Sequence, residues 1–188
     1  MNIALPTRMT VDEFLAWAVR QELQGRYELF NGRVVMQQAQ NWGHAQLCWH
    51  IRGLLTAAIE RAGLPFYAAP MGMTVRITKD FAFEPDALVA PLPEPQRTDL
   101  EIANPVIVVE VLSPSTAKRD RTDKLAGYIK VPSIEHYLIV DPEEHEVTWY
   151  HRAAGGAFAP PISVREGASE LDPPGITLAI AEIFAPET

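Results

Sequence analysis

Two acidic residues in apolar surroundings set the chemistry this chain could perform. Glu110 lies near the end of Val106-Ile107-Val108-Val109-Glu110-Val111-Leu112, a run so dense in β-branched residues that it reads as a strand buried on both faces. Asp86 opens a second apolar run, Pro85-Asp86-Ala87-Leu88-Val89-Ala90. An ionised carboxylate in such a place is costly unless a cation meets it. Paired strands lie about 4.8 Å apart, so if these two pair, Asp86 and Glu110 can converge on one divalent ion. Taken singly, Asp86 also fits a turn residue at a strand start, and Glu110 a buried ion-pair partner. Together, in this order, they favour the metal. Glu84 shares the side of Asp86 on an extended segment and either binds a second ion or faces water.

The elements that must position these acids follow from capping and periodicity. After the central run, Ser115 or Thr116 can cap a helix reaching about Lys130, which Pro132 stops. Asp120, Lys124 and Tyr128 recur every four residues and share one face of it. Lys118, Arg119, Arg121 and Lys124 fall within seven positions, either as a solvated helix face or as phosphate contacts beside the acids. Upstream, Thr10 with Glu13 makes a capping box for a short helix to about Gln21, and Asn31-Gly32 turns a hairpin between Tyr27 and Met36. Leu47, Ile51, Leu54, Leu55, Ala58 and Ile59 define a long amphipathic helix from about Gly43 to Ala62, with His44 at its start. A lone histidine there is more often a cap or hydrogen-bond partner than a ligand, although a helix N-terminus also suits phosphate. Strands are expected over 65–69, 73–77, 134–140, 146–151 and 176–180, and a proline-rich loop over 91–105 that could lie over a substrate groove.

Pro85-Asp86, then Glu110-Val111-Leu112-Ser113-Pro114-Ser115-Thr116, then Asp120, Lys124 and Tyr128, resemble the Uma-two family of restriction-endonuclease-like proteins, a branch of the PD-(D/E)xK nuclease superfamily. The likeness extends to Tyr27-Glu28-Leu29-Phe30-Asn31-Gly32-Arg33-Val34-Val35, to His44, and to Glu135-His136-Tyr137-Leu138-Ile139-Val140-Asp141-Pro142, and so covers nearly the whole chain. It implies an α/β fold with a restriction-endonuclease-like core, a mixed central β-sheet flanked by helices, and an N-terminal helix and hairpin. It implies Mg²⁺ as cofactor, with Mn²⁺ able to substitute, held by Asp86, Glu110 and the Val111 carbonyl. Glu28 resembles the accessory acid of the superfamily, and DNA is the implied substrate, cut by a homodimer. The departure from the superfamily pattern is at Leu112, where the motif places a lysine; Lys124 resembles the family's helix lysine and is expected to replace it. Removal of a catalytic Lys124 is then expected to spare the fold while lowering the cleavage rate.

Composition bounds these readings. A chain of 188 residues with 47% hydrophobic content suits a single domain, 1–188. Its one cysteine, Cys48, excludes an internal disulfide and reads as a small buried residue. No apolar run approaches a membrane span, residues 1–6 lack a signal peptide's apolar core, and a cytoplasmic protein is expected. The net charge of −8 counts against a nucleic-acid partner, but residues 141–188 carry nine acids against Arg152 and Arg165, leaving the rest close to neutral. Nucleic acid is therefore expected on the face of Lys118, Arg119 and Arg121, away from the acidic C-terminal third. Two rivals stand beside the nuclease: a binding or regulatory module that keeps the fold without turnover, and a structural subunit whose charges pair only internally.

Overall fold

The computed structural model describes residues 8–20 and 25–185; the N-terminal stretch 1–6 and Gln21, the expected end of the first helix, lie outside them. Helix α1 (Val11–Arg20) opens with the capping box, in which the Thr10 amide donates to Glu13 at 2.8 Å and the Glu13 amide to the Thr10 hydroxyl at 3.3 Å. Strands β1 (Tyr27–Phe30) and β2 (Arg33–Met36) form the hairpin. Its turn needs left-handed backbone, which Asn31 (φ 49°) and Gly32 (φ 73°) provide. Helix α2 (Trp42–Ala62) is capped by Asn41, whose side chain accepts from the His44 amide at 2.9 Å, and ends at left-handed Gly63.

A six-stranded mixed sheet organises the rest, in the order β10-β9-β8-β7-β6-β3. Its members are β3 (Phe66–Ala69), β6 (Ala87–Pro91), β7 (Ile107–Val111), β8 (His136–Asp141), β9 (Glu146–His151) and β10 (Ile162–Val164). Only β7 and β8 run parallel. The two acidic runs do pair: Ala87 faces Val109 in antiparallel register, and the Asp86 amide extends the ladder to the Val109 carbonyl at 3.0 Å. Asp86 thus stands next in register, opposite Glu110.

Alternation along β7 divides its burial between two cores. Ile107, Val109 and Val111 pack with Cys48, Ile51 and Leu55 of α2, and with β11 (Ala168–Leu171), β12 (Ile176–Ala179) and α5 (Ile180–Ile183). Val108 and Leu112 pack on the other side with Phe83, Tyr128 and Tyr137. That side is covered partly by a second sheet, β2-β1-β5-β4, built with β4 (Val75–Thr78) and β5 (Phe81–Phe83). The far face of this second sheet packs on α1 through Leu29, Ala82, Phe14 and Trp17. The sheet contains one strand the sequence pattern did not single out, β5, whose three residues are too few to show a period.

The helix after β7 is α3 (Ala117–Arg119), a π-turn (Asp120–Lys124) and α4 (Leu125–Tyr128) in unbroken succession. Wide π-turns of this kind are frequent at functional sites. Gly127 is required here, since a Cβ would lie 2.5 Å from the Phe83 ring. That close approach seats Tyr128 beneath Glu110. The loop 91–105 does not lie over the site: its Glu101 bridges to Thr74 and holds Arg76 at 2.8 Å, beside α1.

Candidate active site

Glu110 projects into the side of the sheet covered by the helix that follows it, and its Oε1 accepts from Lys124 Nζ at 2.9 Å and from the Tyr128 hydroxyl at 2.8 Å. Lys124 is gripped by more than its own helix. Its Nζ stands 2.9 Å from Glu28 Oε1 and 3.5 Å from Asp120 Oδ1, and its side chain is 3% exposed. Glu28 comes from β1, so the hairpin, the central strand and the helix meet at this ammonium. Leu112, at the motif's usual lysine position, is packed in the core and cannot reach the site's polar atoms.

Asp86 occupies the other half of the site. Its Oδ2 accepts from the Val111 amide at 2.9 Å, and its Oδ1 from Gln40 at 3.1 Å, with Arg26 3.5 Å away. Arg26 also holds Glu84 at 3.2 Å. His44 donates through Nε2 to the Val111 carbonyl at 2.9 Å and lies 3.7 Å from Asp86. It therefore acts as a structural partner inside the site, and the carbonyl expected among the metal ligands already accepts one hydrogen bond. Asp86, Glu110, His44 and Lys124 line one cleft of about 260 Å³, closed on its other side by the amide-rich segment Gln37–Asn41 and by Ser113–Thr116.

The electrostatics show an excess of negative charge. Five carboxylates (Glu28, Glu84, Asp86, Glu110, Asp120) meet Arg26, Lys124 and the half-exposed Arg119, which is 3.8 Å from Glu28. Burial pushes the Glu110 carboxyl well up; Lys124 opposes the rise, and Asp120, Asp86 and Glu28 add to it. Burial likewise raises Asp120 and Glu84. Both Asp120 oxygens are buried without a hydrogen-bond partner among the described residues. Lys124 goes the other way: burial would lower it, but Glu110 and Glu28 hold it firmly protonated. Oxygen donors with surplus negative charge at an open cleft fit a hard divalent ion of the Mg²⁺ type, which Asp86 and Glu110 would hold through their carboxylates.

The basic cluster fits its expected role less fully. Arg119 turns inward to Glu28 and lies over the Phe30 ring at 4.8 Å, while Arg121 pairs with Asp141 at 3.0 Å. Lys118 makes no ion pair among the described residues. Asp141 begins the acidic C-terminal segment, so that segment adjoins this face rather than lying away from it. Arg26 and Gln40 were not singled out from sequence. Arg26 was legible in principle, lying two residues before Glu28 and hence on its side of an extended chain; Gln40 had no signal beyond its polar neighbours.

A model of the Uma2 family, described as "putative restriction endonuclease", matches residues 11–181. Two relatives come from Synechocystis sp. (strain ATCC 27184 / PCC 6803 / Kazusa), both named uncharacterized proteins. The chain is 24% identical to slr1290 over 94% of this chain and 92% of that protein, and 24% identical to sll1609 over 81% and 85%. A crystal structure of a putative nuclease belonging to DUF820 from Anabaena variabilis ATCC 29413 superposes with a TM-score of 0.74 at 17% identity, covering 94% of this chain and 97% of that one. The likeness to that structure establishes the fold, a mixed α/β nuclease fold. With the family match spanning α1 to α5, the chain belongs to the Uma2 restriction-endonuclease-like family.

Proposed function

We propose that this protein is a Mg²⁺-dependent endonuclease that hydrolyses DNA phosphodiester bonds. The observation that carries the reading is a buried ammonium, Lys124, 2.9 Å from Glu110 on the helix that follows β7, and in this reading it takes over the role of the lysine that the motif would have at position 112. In this reading Asp86 and Glu110 would hold the ion, which would supply charge neutralisation and water activation when bound. Lys124 orients Glu110 and offers its positive charge to the developing charge on the phosphoryl oxygens. Tyr128 fixes the Glu110 carboxylate from below, Arg26 and Gln40 hold Asp86, and Glu28 and Asp120 keep Lys124 in place. Cutting both strands of a duplex would call for a second copy of the chain.

A second reading has its own support. Lys124 is tied to three carboxylates, and Arg119 and Arg121 are already paired, which suits a nuclease-fold module that binds without turnover. Incubating supercoiled plasmid with the protein and Mg²⁺ or Mn²⁺, beside Glu110→Gln, separates the two. The endonuclease reading expects metal-dependent nicking lost in the variant. Equal products from both proteins, or none from either across duplex, single-stranded and branched DNA, would end it.

A further inference from the structure

Behind the carboxylate site lies a group of side chains of different chemistry. His44 and Cys48 are one turn apart on α2, with His44 Nδ1 3.4 Å from Cys48 Sγ. Asp86 faces both, and one ligand atom from each of the three lies within 4.8 Å of the others. The tautomer follows from the neighbours: the Val111 carbonyl can only accept, so His44 Nε2 carries the proton and Nδ1 presents its lone pair toward Cys48. A carbonyl that fixes an imidazole in this way is the usual support behind a metal-bound histidine.

We propose that His44 Nδ1, Cys48 Sγ and Asp86 form a site for a borderline-soft divalent cation such as Zn²⁺ or Co²⁺. Nitrogen, sulfur and carboxylate donors select such ions, whereas Mg²⁺ takes oxygen almost alone. His44 and Asp86 line the cleft and Cys48, 1% exposed, lies buried behind them, so an ion enters past His44 and Asp86 and keeps an open position toward the cleft. On binding, the S–H bond breaks, sulfur bonds the cation, and the proton leaves to solvent. Asp86 belongs to both sites, so, given the endonuclease reading above, a cation held here withdraws it from Mg²⁺ and inhibits cleavage.

Titrating Co²⁺ into the metal-free chain tests the site directly. One thiolate-to-cobalt charge-transfer band should grow to one equivalent, vanish in Cys48→Ala and persist in Glu110→Gln. X-ray absorption of the Zn²⁺-loaded wild type should show one sulfur at about 2.3 Å, a measurement that needs no variant to fold. Absence of that sulfur, a band that survives Cys48→Ala, or a band lost in Glu110→Gln would overturn the site. A cobalt band in a chain that cuts no DNA would leave the site standing and defeat the endonuclease reading instead.

Discussion

Lys124 and Arg165 each hold two glutamates, and the contrast between them separates a surface ornament from a site. Arg165 reaches Glu144 at 3.2 Å and Glu146 at 3.0 Å across the edge of the sheet, with its side chain 59% exposed. Lys124 reaches Glu28 and Glu110 at 2.9 Å each with its side chain 3% exposed. The distances are nearly the same, but the solvent is not. Water and salt screen the Arg165 group and leave its contribution small. Around Lys124 the charges have lost their hydration, and a buried ionic cluster of this kind is often no more stable than an apolar replacement. Net stability is thus a weak reason for burying such a cluster, and the proposed endonuclease gives it a role in the reaction.

The largest effect that would break or sharpen the comparison is expected from Lys124→Met. Cleavage should fall by orders of magnitude, because the missing charge acts mainly in the transition state. The burial also revises the expectation that this change spares the fold. Three carboxylates lose their shared cation, so stability near neutral pH should drop by roughly 3–5 kcal/mol, as for removal of one partner from a buried pair. A urea midpoint equal to wild type would show that the cluster carries no such charge.

Next in size is the response to metal. Saturating Mn²⁺ should raise the melting temperature of the wild type, by about 2.7 kcal/mol of stabilisation at one hundred times Kd, and should leave Asp86→Ala unmoved. Equal shifts in both proteins would place the ion elsewhere.

A smaller effect concerns pH in metal-free protein. Raised carboxyls mean that the folded chain binds more protons than the unfolded one above pH 4.5, so the Glu110 share of stability falls as pH rises, until the folded group has ionised. His136, held down to about 4 chiefly by burial, has the opposite slope between 4 and 6.5. The difference between wild type and Glu110→Gln isolates the site: the variant should gain on wild type steadily as pH climbs from 4.5. A pH-independent difference in urea midpoints would remove the claim that burial strains Glu110.

If nucleic acid binds, alanine at Lys118, Arg119 and Arg121 together should flatten the dependence of log affinity on log salt by about 0.9 for each phosphate that the variant no longer neutralises. Because Arg119 and Arg121 are already paired within the protein, the change should be near that of a single phosphate rather than of all three side chains. An unchanged slope would exclude this face. Arg165→Ala is the smallest case and should leave the urea midpoint at its wild-type value.

Sequence by itself determined a good deal of this protein. Capping, turn chemistry and apolar spacing placed α1, the β1–β2 hairpin and α2 within a residue or two, because those signals are local: a Thr-x-x-Glu box, Asn-Gly, and apolar residues from Leu47 to Ile59 at helical intervals, whereas the Asn41 cap of α2 was found only in the structure. Two apolar runs each bearing one acid pointed to neighbouring strands and a shared site, and the 4-residue spacing of Asp120, Lys124 and Tyr128 put them on one face. Only the tertiary structure decided what meets what. The second sheet brings Glu28 and Arg26 across some sixty residues of chain to Glu84 and Asp86, and no local period encodes that approach. It also decided that Lys124 is buried among three acids rather than exposed beside one. Cys48 lies one turn from His44 on α2 by helical spacing alone, but the pair met Asp86 only once α2 packed against β6 and β7, since a meeting of helix and sheet depends on the packing of whole faces rather than on any residue's own sequence neighbours.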